Sequence, residues 1–405
     1  MRWKKFISNV VIVGMMGSIL GSGVPVFAQS YLYKKQASIS KKSNHVFKIS
    51  PDSSRYENRL SAWAYDEYAL VRSYVDELAN RGGGMLILQK GTYRISKPIY
   101  ISSNIKIILE NGVVIKKTFD EKVPSQSIFQ FVDRDRIIQM QEVAGSGSLI
   151  EKIKRIKKSD KKLLYTQYNG VRNSAIIGKG KVVIDLQNEK DAQAIVVGHN
   201  RNIEISGITF KNSYNNHFIE VDATDTIKIH NCVFQNAKVS EGTNKEAINL
   251  DTPDLVTKGF NCFWSSQDKT PNRNVTIEAC KFINLERGIG THQFSHMKYH
   301  TNINILNCSF NKVSVPVFGI NWKNIRIEGN QMQNIRKIGN SYDGNSIFLA
   351  GIEKVTIRDN QINHFERPNI REEYNVSQQY YPATSSVITQ EEKEMIESCN
   401  QYGKK

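Results

Sequence analysis

Apolar and polar residues alternate in short runs that recur through the middle of the chain. IEISGITF begins at Ile203, IKIHNCVF at Ile227, VTIEACKF at Val275, INILNCSF at Ile303, IRIEGNQM at Ile325 and VTIRDNQI at Val355. In each run the alternation breaks at a turn, and an apolar residue returns at the eighth place. Strict alternation marks a strand with one buried face. A second short strand precedes each run: AIVVG, FIEVD, AINLD, GIGTH, PVFGI and SIFLA, beginning at Ala194, Phe218, Ala247, Gly288, Pro316 and Ser346. In four of the six units the inward residue of this strand lies eight positions before the next run: Ile195/Ile203, Ile219/Ile227, Val317/Ile325 and Ile347/Val355. A unit of two or three short strands repeated in this way predicts a solenoid with continuous apolar columns.

Around these repeats the pattern changes. Residues 65–80 carry helical apolar spacing and are followed by a glycine turn and further strands, as expected of a helix that covers the open end of the first coil. Residues 120–170 break the rhythm, and the basic run EKIKRIKKSDKK within them predicts a helix in a long excursion. Residues 366–405 are polar and lack the repeat, with a C-terminal cap expected near 386–399. The first 28 residues combine a basic start (Arg2, Lys4, Lys5), an apolar run and small residues before Ala28, the pattern of an export signal. Residues 29–59 are expected to be a linker, and 60–365 the repeat domain.

The chain has 405 residues and a net charge of +16. Without Arg2, Lys4 and Lys5 three charges are lost, which leaves +13. Such a charge favours polyanionic partners: an acidic polysaccharide, or electrostatic association with an anionic cell wall. No basic helix with interleaved aromatics and no nucleic-acid motif is present, so a nucleic-acid partner is not expected. Five cysteines without a CxxC pair do not read as a zinc site. Cys232, Cys280 and Cys308 hold one position in three units, continued by Asn330 and Asn360. Free buried thiols are expected there rather than disulfides.

Alternation also assigns the outward residues. One outward column reads Gly198, Asp222, Asp251, His292, Ile320, Ala350; its neighbour reads Val196, Glu220, Asn249, Gly290, Phe318, Phe348. Successive coils lie about 4.8 Å apart, so Asp222, Asp251 and His292 would stack with Glu220 and Asn249 beside them. Crowded carboxylates raise one another's pKa and supply an acid and a base from one cluster, and a histidine can carry a proton. Asp251, Asp222, His292 and Glu220 are therefore the catalytic candidates. Asn249, His217, Glu246, Trp264 and Arg287 are the substrate-binding candidates. The step from inward residue to next run lengthens to 27 residues (Ile248 to Val275) and 14 residues (Ile289 to Ile303) in the units carrying Asp251 and His292. The first insertion holds Phe260, Phe263 and Trp264, expected to stack on sugar rings. His292, His296 and His300 form HxxxHxxxH, but between strands rather than on a helix, so no metal is expected; a calcium ion on the carboxylates would suit a lyase.

The repeat resembles the right-handed parallel β-helix proteins of the pectate-lyase-like superfamily over residues 60–365. That resemblance implies an all-β parallel β-helix with an N-terminal capping helix. Asn249-Leu250-Asp251 is similar to the Asn-x-Asp element of polygalacturonase-type glycoside hydrolases, and Gly290-Thr291-His292 to their histidine element. The paired-aspartate element that stands between them in that family is missing. The implied function is secreted cleavage of an acidic polysaccharide, by hydrolysis first and by lyase chemistry second. A non-catalytic glycan-binding surface protein is the alternative.

Overall fold

The computed structural model describes residues 45–56, 66–118, 127–238, 245–255, 260–291, 298–335, 345–363, 368–374 and 384–403. Residues 1–28, expected to be an export signal, lie outside them. Within this range the chain is a right-handed parallel β-helix. One sheet holds ten parallel strands in chain order, from Val46–Ile49 to Glu353–Arg358. The predicted columns are the observed register. Ile203, Ile227, Val275, Ile303, Ile325 and Val355 are successive partners. So are Ile195, Ile219, Ile248, Ile289, Val317 and Ile347 on the facing strands. All are buried in one continuous core. Phe210, Phe234, Phe282 and Phe310, the apolar residues at the eighth place, stack with centroids 4.7–5.1 Å apart.

Each coil bends where the backbone enters the left-handed region, which sterics close to most side chains. Gly207, Asn231, Ala279, Asn307, Gly329 and Asp359 occupy one such corner, at φ between 51° and 70°. Five of the six are glycine, asparagine or aspartate, the types that tolerate it. The next residue turns inward: Cys232, Cys280 and Cys308 are free and buried, and their thiols face carbonyls of the preceding coil. Asn330 and Asn360 continue the column with ladder bonds, Asn330 Nδ2 reaching both Ile305 O and Asn360 Oδ1.

Both ends are covered. Helix α1 (Asp66–Asn80) places Tyr68, Leu70, Val71, Val75 and Leu78 in the core. Ahead of it, in the segment expected to be a linker, Val46–Ile49 adds a parallel strand. The excursion forms a helical hairpin, α2 (Arg134–Ala144) and α3 (Leu149–Asp160). Ser148 and Glu151 form a capping box that starts α3. Near the C-terminus α4 (Gln390–Ser398) seats Ile396 in the core, and Asn400 extends the asparagine ladder to Asn360.

Candidate functional site

Two neighbouring strands, Ile219–Asp222 and Glu246–Asp251, carry the acidic column. Their register pairs Glu220 with Asn249 and Asp222 with Asp251. On the preceding strand the partners are Val196 and Gly198. Alternation points these side chains outward from the coil, and on that side Asp222 and Asp251 are fully buried, and Glu220 and Asn249 nearly so. The cover comes from the long insertion. A Cβ on Gly198 would lie 2.6 Å from Phe260 and 2.7 Å from Trp264. The same segment brings Cys262 close enough for Asp222 and Glu220 to raise its pKa further, after burial itself.

Trp264 therefore has a different role from the one expected. Its ring is 1 % exposed, packed with Val196, Ile137, Ile153 and Tyr165 in a second apolar core beneath the hairpin. Its Nε1 donates to Gln130 Oε1 at 3.2 Å. Phe260 is buried there too, so neither ring offers a face to a sugar. Of the three aromatics only Phe263 stays half-buried.

Hydrogen bonds decide which carboxyl holds a proton. Asn249 Nδ2 donates to Glu220 Oε1 at 2.6 Å and to Asp251 Oδ2 at 3.0 Å. Gln193 Nε2 donates to Glu220 Oε2 at 3.0 Å. Both oxygens of Glu220 thus accept. No donor among the described residues reaches either oxygen of Asp222. Burial, then the charges of Glu220 and Asp251, raise the Asp222 carboxyl well above its ordinary range. Burial likewise pushes Glu220 up to about 7, against the Asn249 bond that favours its charged form. Asp222 is the carboxyl with nothing to accept, so the proton this pair retains belongs on Asp222 and is donated to Glu220.

Three further candidates extend the cluster. His217 Nδ1 lies 2.7 Å from Glu246 O; a carbonyl only accepts, so this nitrogen carries the proton. His217 Nε2 is 3.8 Å from Glu220 Oε2. Arg287 Nη1 pairs with Glu246 Oε1 at 2.6 Å, and its guanidinium lies 4.0 Å from the centroid of Phe318. Seven of the nine candidates thus meet: Asp222, Asp251, Glu220, Asn249, His217, Glu246 and Arg287. His292 and His296 lie outside the described residues. His300 is buried, accepts from Asn272 N at 3.0 Å and is lowered to about 3 by burial. Among the described residues no group of three or more His, Cys, Asp or Glu is disposed to hold a metal ion. Gln193 and Gly198 were not among the expected site residues. Gln193 falls outside the alternating strand, and Gly198 stands in the column without a reactive group.

No protein-family model matches the chain. The plasmin and fibronectin-binding protein A of Streptococcus pneumoniae (strain ATCC BAA-255 / R6) is 23 % identical over 288 residues, covering 66 % of this chain and 37 % of that protein. The chain therefore spans little more than a third of that relative's length. A crystal structure of PfbA, a surface adhesin of Streptococcus pneumoniae, matches with a TM-score of 0.54 at 18 % identity, over 76 % of this chain and 70 % of that one. A second structure of the same surface protein and adhesin gives 0.55 at 19 %, over 76 % of each chain. At these identities the likeness is one of fold.

Proposed function

We propose that the chain is an exported glycoside hydrolase acting on an acidic polysaccharide. The observation that carries this reading is the Asp222 carboxyl: fully buried, without a hydrogen-bond donor among the described residues, and set between Glu220 and Asp251 on successive coils. A buried acid without a donor burdens the fold, and such groups cluster where proton transfer is needed. In this reading Asp222 gives its proton to the glycosidic oxygen as the bond breaks. Asp251, held by Asn249, acts on the anomeric side as base to water or as nucleophile. Glu220 accepts from Asp222 between turnovers and keeps it aimed. Because residues 260–264 lie against the column, substrate entry displaces that segment.

The net charge of +16 favours an acidic substrate. The test is incubation with a panel of acidic and neutral polysaccharides, reading new reducing ends together with the ultraviolet absorbance of unsaturated uronates. The hydrolase reading expects reducing ends without absorbance. It also expects a loss of about 10²- to 10⁴-fold in Asp222→Asn, the usual worth of a positioned acid, and a comparable loss in Asp251→Asn. Full activity in both variants refutes it. Absorbance abolished by a chelator indicates a calcium-dependent lyase.

The likeness to an adhesin supports a second reading, a surface binder without catalysis. Polymer retained intact, with retention insensitive to Asp251→Asn, is its signature.

A further inference from the structure

The helical hairpin carries charge that its own acids do not neutralise. Residues 133–162 contain five acidic side chains. Four are committed to local structure. Asp133 caps α2 through Arg136 N, and Asp135 pairs with Arg134. Glu151 closes the capping box, and Asp160 accepts from Lys162 N. Three of the arginines are committed as well. Arg134 is buried against Asp76 O, Arg136 binds the carbonyls of Lys162, Leu163 and Leu164, and Arg155 binds those of Ala144 and Ser146.

The lysines differ. Lys154, Lys157, Lys158, Lys161 and Lys162 are all exposed, and none has a carboxylate partner among the described residues. Lys154 and Lys158 fall four residues apart, a stripe about 6 Å long on one side of the helix, and Lys161 follows just past its end, where Asp160 is extended. Like charges at this spacing repel and weaken a helix. The stripe is held rigidly nonetheless, because Ile153 and Ile156 anchor the opposite face in the second core. Lys152 lies about 200° around the helix from Lys154, and its Nζ stands 5.8 Å from the ring centroid of Phe263, the one insertion aromatic that stays half-buried. A cation beside an accessible ring matches a sugar that carries an acidic group, since the ring takes the apolar face and the cation the charge.

We propose that this hairpin binds an acidic polysaccharide strand laid across the exposed face of α3, with Lys154, Lys157, Lys158 and Lys161 on its anionic groups and Phe263, beside Lys152 on the other flank, on a sugar ring. Its lysines lie on the hairpin rather than on the acidic column, Phe263 belongs to the segment that covers the column, and binding here operates whether or not the column cleaves.

The test titrates the intact protein with heparin and with polygalacturonate at low and high salt, beside neutral dextran and a duplex oligonucleotide. The Lys154→Gln/Lys157→Gln/Lys158→Gln/Lys161→Gln variant is expected to bind both acidic glycans at least roughly tenfold more weakly at low salt, with a flatter salt dependence. All four side chains are exposed, so its melting curve should match that of the parent. Phe263→Ala is expected to weaken binding by a salt-independent factor. Asp222→Asn is expected to bind as the parent does, which separates failure of this surface from failure of the catalytic reading. The proposal is overturned if the fourfold variant binds both glycans as tightly as the parent, or if the oligonucleotide binds while neither glycan does.

Discussion

Replacing Asp222 by asparagine should make the protein more stable in mildly alkaline buffer. Glu220, its partner, is raised from 4.5 to about 7, chiefly by burial. Below about pH 4.5 the carboxyl is protonated in the folded and unfolded chains alike, so the raised pKa costs nothing. Above that point the unfolded chain ionises freely and the folded chain does not. Stability therefore falls as pH rises, until the folded pair loses its proton near 7. Each pH unit is worth about 1.4 kcal/mol per proton. The window from 4.5 to about 7 then corresponds to roughly 3 kcal/mol for one proton. Burial, the first cause of the Glu220 shift, persists in Asp222→Asn; what the amide removes is the Asp222 carboxyl's own raised pKa, and it can still donate to the Glu220 carboxylate. The Glu220 contribution stays in the variant while that of Asp222 is gone, so the variant should lose stability less steeply than the wild type as pH rises and exceed it near pH 8. Urea unfolding at several pH values, with m-values compared, reads this directly. A wild type whose stability holds or rises across the window, or a variant that declines in parallel with it, would show that the buried pair does not retain a proton. It would also remove the acid assigned to Asp222.

Other consequences can be checked on the same material. Trp264→Ala should cost about 3–5 kcal/mol, the usual price of emptying a large buried site, while acidic-glycan affinity per folded molecule stays unchanged in titration. Gly198→Ala places a Cβ 2.6 Å from Phe260; a loss of about 1–3 kcal/mol is expected from such overpacking, visible as a lower melting temperature and altered near-ultraviolet dichroism. Ala279→Gly should stabilise by about 1 kcal/mol, because Ala279 sits at φ 51° and glycine has no Cβ to strain. A lower urea midpoint would contradict the left-handed corner. Asn330→Ala removes the donor to Ile305 O and the bond to Asn360, so unfolding should cost about 1–3 kcal/mol less.

The coil-on-coil register was legible because alternation has a period of two and each run restarts its apolar face after the same turn. Ile227 is therefore matched to Val275 across a 48-residue gap by pattern alone. The pairing of Asp222 with Asp251 followed from the same arithmetic. What alternation could not show was burial of the outward face. It assigns a side chain to one side of a strand and is silent on what another segment lays over that side. Trp264 reached its place through contacts with residues more than a hundred positions away, Gln130 and Ile137 among them, and no local period encodes these. Helix α2 was missed for a related reason. Its buried face (Ile137, Met140, Ala144) is short and mixed with polar residues, so it is apolar only against the partner that covers it.

In a solenoid each coil ordinarily touches only its neighbours, so strain or heat can open it one turn at a time from any weak point. The insertion breaks that rule. Tyr165 N bonds Trp264 O, Ser266 N bonds Tyr165 O, and Asp268 accepts from Thr166 and Gln167, while Ser265 meets His199. These bonds tie segments 66 to 102 residues apart in sequence and bridge several turns at once. Opening any turn between them requires releasing all of them. The middle of the molecule should therefore exchange its amide hydrogens as one cooperative block, and the turns beyond Phe318 one after another from the C-terminal cap inward. The acidic column lies inside that block, so its geometry is guarded by a seam rather than by the stacking of coils alone.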